Sequence, residues 1–173
     1  MPRGFPVRRL TVMMMGLFTL GSGWAQADVG LRPRIIRPPD DRADYFSTTP
    51  ALQAVGNSVG AMIGTDMLTD NGNGTYTVNA PSLAEMFDPF CDGERFADQP
   101  TAANCTATLI APDVVITAGH CLEDMGVRTD LNSFYFVFDY AITQQGVNPS
   151  MFMANQVYRA TEVLGFALVG DGA

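Results

Sequence analysis

Between residues 57 and 169 the chain runs in short β-prone stretches punctuated by turn residues, and no segment sustains the 3.6-residue apolar period of a long helix. Residues 57–63 (NSVGAMI), 106–110 (TATLI) and 114–117 (VVIT) are three such runs. The last two flank Ala111-Pro112-Asp113, a turn with Pro at a favoured position. Residues 134–140 (FYFVFDY) are the most strand-like stretch in the chain. Residues 67–78 place two β-prone runs around Asn71-Gly72-Asn73-Gly74, a hairpin signal because Asn and Gly tolerate the positive φ of tight turns. Residues 157–169 are expected to form one long strand bent at Gly165. The pattern predicts an all-β fold, a barrel or a sandwich.

Two regions lack this rhythm. Residues 28–50 are rich in Pro, Arg and Asp and read as an extended arm without a core of its own, the domain proper starting near residue 57. Residues 81–104 are broken by Pro81, Pro89 and Pro100, with a short helical turn expected over 82–87. Asp66, Asp70, Asn71 and Asn73 raise the alternative of a calcium loop, but their spacing does not fit D-x-[DN]-x-[DN]-G.

The first 27 residues read as an address. Arg3, Arg8 and Arg9 precede an eleven-residue apolar run over 10–20, and Ala25-Gln26-Ala27 offers the small residues of a cleavage site. The run is too short for a spanning helix, which needs about 20 apolar residues. A secreted or periplasmic protein is expected, with no membrane association once the leader is removed. Loss of three arginines and no acid takes the net charge from −8 to −11. All ten cations are Arg and none forms a basic stripe, so nucleic acid is not an expected partner. Export also makes disulfides the expected fate of cysteines.

His120 is the only imidazole. By residue type alone a single His beside a β-strand reads as structural, although imidazole is the side chain best suited to proton transfer near neutral pH. A zinc hydrolase is a poor fit, because three metal ligands are not found around one His in the usual spacing.

The context of His120 changes this. The seventeen positions from Cys105 through Leu109-Ile110, the Pro112 turn and Val114-Val115-Ile116 to Thr117-Ala118-Gly119-His120-Cys121 resemble the histidine-box segment of trypsin-like serine peptidases. That resemblance implies a Cys105–Cys121 disulfide and His120 as the catalytic general base. A bridge over so short a loop would be worth ~3 kcal/mol in the chain-entropy model. It further implies a two-barrel fold of which this chain supplies the arm and most of the first barrel, a protein or peptide substrate, and no cofactor. Cys91 is then left over, as a free thiol, an intermolecular partner, or half of a pair completed beyond this sequence.

A second resemblance concerns the arm. Ile35-Ile36-Arg37-Pro38-Pro39-Asp40-Asp41-Arg42, followed by Thr48-Thr49, is similar to the mature start of bacterial V8-like glutamyl endopeptidases. It implies cleavage after Arg34 to free Ile35; the alternative is a solvated linker. The insertion over 65–104 departs from that branch, so a preference for Glu is not carried over.

A serine peptidase also needs a nucleophile, an oxyanion hole and an acid to orient the base. No Gly-Asp-Ser-Gly occurs, and after residue 27 the serines are Ser47, Ser58, Ser82, Ser133 and Ser150. Asp171-Gly172-Ala173 matches the Asp-x-Ala start of the family's aspartate strand, or is a turn ahead of it. The expectation is an N-terminal fragment of a secreted serine endopeptidase, inactive by itself. The alternative is a non-catalytic secreted β-module derived from one, whose acidity would suit a cationic partner.

Overall fold

The computed structural model describes residues 42–87, 89, 93–124 and 130–166, together with the backbone of residues 8–12. The chain order is β1 (Arg8–Val12), a 3-10 turn (Tyr45–Ser47), α1 (Pro50–Gly56), β2 (Val59–Gly64), β3 (Leu68–Asp70), β4 (Thr75–Val78), α2 (Leu83–Met86), β5 (Ala103–Ala111), β6 (Val114–Thr117), α3 (Gly119–Asp124), β7 (Phe134–Phe138), β8 (Met151–Met153) and β9 (Val157–Val163).

Five strands form a curled antiparallel sheet in the order β6-β5-β2-β7-β9. β2 is its middle strand, and its side chains alternate between two cores. Met62 points inward with Val115, Leu122, Phe134 and Phe136, while Ala61 and Ile63 point outward with Tyr135, Val137 and Val157. A strand covered on both faces is a continuous apolar run, which is why VGAMIG stands out in the sequence.

The outer core is roofed by a second sheet, β3-β4-β8. Tyr76 of β4 meets Tyr135 of β7 edge-on at 5.6 Å between ring centroids, and Phe152 of β8 stacks on Tyr140 at 5.9 Å. The β3–β4 hairpin forms where expected. The Asp70 carboxylate accepts from the Gly72 amide at 2.8 Å, Asn73 accepts from the Thr75 amide at 3.1 Å, and Gly72 and Gly74 take φ of 72° and 85°. Asp70 and Asn73 thus close the turn, and neither belongs to a cluster of ligand-type groups among the described residues. The short helix expected over 82–87 is α2, started by a reciprocal capping box between Ser82 and Glu85.

The all-β expectation holds at the level of architecture, and the differences are local. α1 forms inside the segment read as an extended arm, with Pro50 in its first turn and the Thr49 hydroxyl accepting from the Leu52 amide. β9 ends at Val163, before the expected bend at Gly165. β7 stops at Phe138 because Asp139 adopts φ 60°.

β1 lies within the segment read as a leader. Its backbone pairs in parallel with β6 (Thr11 with Val114, Val12 with Val115) and with β9 (Arg8 with Tyr158, Val12 with Val163), closing the sheet into a barrel. No described helix is long and apolar enough to cross a membrane. The apolar run over 13–20, the Arg34–Ile35 junction, Cys91 and Asp171 lie outside the described residues.

Candidate functional site

The β5–β6 hairpin sets the site. Antiparallel pairing puts Ala107 opposite Thr117 and Thr108 opposite Ile116. The Thr117 hydroxyl is buried, donating to the Thr106 carbonyl at 2.7 Å and lying 3.3 Å from the Met62 sulfur. That fixes the end of β6, and after Ala118 the chain turns directly into α3.

Successive residues on a helix point about 100° apart, and α3 uses this to divide its side chains. Leu122 is fully buried and Cys121 nearly so, both in the inner core, while His120 is exposed. Cys121 is disulfide-bonded to Cys105 of β5, with 6.1 Å between their Cα atoms. The first turn of α3 is thereby tied to the barrel on both sides of the imidazole-bearing residue. The pairing implied by the histidine-box resemblance is present, and His120 stands next to it with a ring nitrogen and both sulfurs within 4.8 Å of one another.

The structure brings Cys105, His120 and Cys121 together, while four described serines are engaged elsewhere. The Ser47, Ser58 and Ser133 hydroxyls donate to the carbonyls of Asp44, Val55 and Asp130, and Ser82 caps α2. Among the described residues no side chain hydrogen-bonds or ion-pairs with His120.

A separate concavity was not legible in the sequence. A pocket of about 620 Å³ opens on the outer side of the sheet, with Tyr45, Phe96, Tyr140, Ala61 and Ala103 among its walls. Arg42 helps shape it. Its guanidinium pairs with Glu94 at 2.8 Å and lies over the Phe96 ring at 5.0 Å, with Arg95 over the same ring at 4.7 Å. None of Cys105, His120 and Cys121 lines it. The arm's arginines gave no local signal for this pocket, since its walls come from segments a hundred residues apart.

Burial and the neighbouring Asp70 carboxylate push the Tyr76 hydroxyl up to about 12, and burial raises Tyr140. Glu85 is lowered by the hydrogen bonds it accepts from the Ser82 amide and hydroxyl. None of these three groups lies at the histidine. No known family model, curated protein or solved structure matches the chain.

Proposed function

We propose that the chain carries the first barrel of a secreted serine endopeptidase of the trypsin-like kind, with His120 as the general base. The observation that carries this reading is the mounting of the imidazole. A single exposed His follows the end of a core strand, on a helical turn held by buried Leu122 and the Cys105–Cys121 bond. The backbone that carries the imidazole is thereby fixed, which limits where the ring can reach. In the reaction His120 takes the proton from a serine hydroxyl as that oxygen attacks a peptide carbonyl, then passes it to the leaving amine. The substrate is a protein or peptide, and no cofactor is required. The sequence holds no Gly-Asp-Ser-Gly, and the nucleophile and oxyanion donors stay unassigned. Asp171 is the sequence's candidate for the orienting acid.

A second reading, a secreted binding module without catalysis, draws support from the aromatic-walled pocket away from His120. The two are separated by assaying the protein, as its cell of origin makes it, on a mixed fluorogenic protein substrate. The peptidase reading expects hydrolysis that His120→Ala lowers by about 10³-fold or more. Absence of hydrolysis, or hydrolysis indifferent to His120→Ala, leaves the binding module.

A further inference from the structure

We propose that the reduced chain binds one Zn²⁺ through Cys105 Sγ, Cys121 Sγ and the His120 ring, and that closing the disulfide expels the metal. These three are the group of ligand-type side chains that the fold gathers among the described residues, with their donor atoms within 4.8 Å of one another. With Zn–S near 2.3 Å and Zn–N near 2.0–2.1 Å, tetrahedral geometry needs sulfurs about 3.8 Å apart and sulfur–nitrogen distances of about 3.6 Å. Bonded sulfurs are too close and carry no thiolate charge, so the oxidised pair cannot serve. Reduction frees the sulfurs to separate to that spacing, and the ring nitrogen, already within 4.8 Å of both, reaches its place by side-chain rotation.

Both cysteines sit on packed elements of the fold. Cys105 sits in the β5 ladder opposite Met62, and Cys121 is held beside fully buried Leu122. His120 is on the exposed side, and a water would complete the four-coordinate set. Two thiolates and an imidazole form a soft-to-borderline set that suits Zn²⁺ and not a hard cation such as Mg²⁺.

The redox step uses a dithiol. It gives two electrons and two protons to the Cys105–Cys121 bond, yielding two thiols and its own disulfide. Zn²⁺ then binds as both thiols release their protons. While the metal is held, the His120 lone pair is engaged, so metal binding and general-base chemistry exclude each other. The inference does not rest on the peptidase reading, since its readout is binding alone.

The test is a Zn²⁺ titration against a chromophoric chelator, using the full chain carrying Cys91→Ser so that only the two site thiols remain. The chain is reduced with dithiol, freed of it under anaerobic conditions, and compared with its oxidised form. One Zn²⁺ per reduced chain is expected, bound at least about 100-fold more tightly than by the oxidised chain, with His120→Ala weakening the reduced form about 10-fold or more. Co²⁺ replacing Zn²⁺ should show thiolate-to-metal charge-transfer bands in the reduced form alone, a readout that needs no change at Cys105 or Cys121. Equal affinity of the two redox forms, loss of binding on Cys91→Ser, or unchanged reduced-form affinity in His120→Ala would overturn the proposal.

Discussion

Cys105 of β5 and Cys121 of α3, sixteen residues apart, are joined by a disulfide that ties the helix turn bearing His120 to the barrel wall. The bond restricts a short loop in the unfolded chain. Replacing both residues by Ala should lower unfolding free energy in urea by about 3 kcal/mol. An unchanged urea midpoint would mean that the bond contributes nothing to the stability of this fold.

The inner core should be sensitive and the helix surface tolerant. Phe136 is fully buried in β7, and truncation to Ala should cost about 3–5 kcal/mol. Leu52 on α1 is 60% exposed, and Leu52→Ala should stay within about 0.5 kcal/mol. Comparable losses for the two variants would place the inner core elsewhere.

Tyr76 predicts an alkaline limb. Its hydroxyl, ordinarily near 10, is held neutral up to about 12 in the folded chain by burial and by Asp70. A raised acid contributes stability that is fully present below the unfolded value and is lost as pH rises through the folded one. Between pH 10 and pH 12 the wild type should therefore lose stability more steeply than Tyr76→Phe, measured by urea unfolding at stepped pH. Parallel curves would refute the assignment.

β1 closes the barrel from within the segment read as a leader. A chain beginning at residue 28 lacks β1, and with it one of the two pairing partners of each of β6 and β9. Two unpaired strand edges favour association with other chains. Sedimentation should show concentration-dependent self-association for residues 28–173 and less of it for the full chain. A monomeric shortened chain would show that the β6 and β9 edges are protected by other means.

Much of this was legible in local pattern. Short apolar and β-prone runs mark β2, β6 and β7, and Asn-Gly pairs mark the β3–β4 turn, because each signal is set by neighbours in sequence. β8 escaped notice because a three-residue strand carries no periodicity and exists through pairing with β4. α3 was hidden behind the strand before it, and its side-chain division depends on Leu122 filling the barrel end. The grouping of Cys105, His120 and Cys121 is not visible in linear spacing, because the β5–β6 hairpin folds the sixteen-residue separation back on itself.

The most direct test of the central claim is covalent labelling of the protein, as its cell of origin makes it, with a serine-directed fluorophosphonate, compared with its His120→Ala variant. The account predicts stoichiometric labelling of one serine, slowed by about 10³-fold or more when His120 is replaced. Absence of labelling, or equal labelling rates for the two proteins, would contradict it.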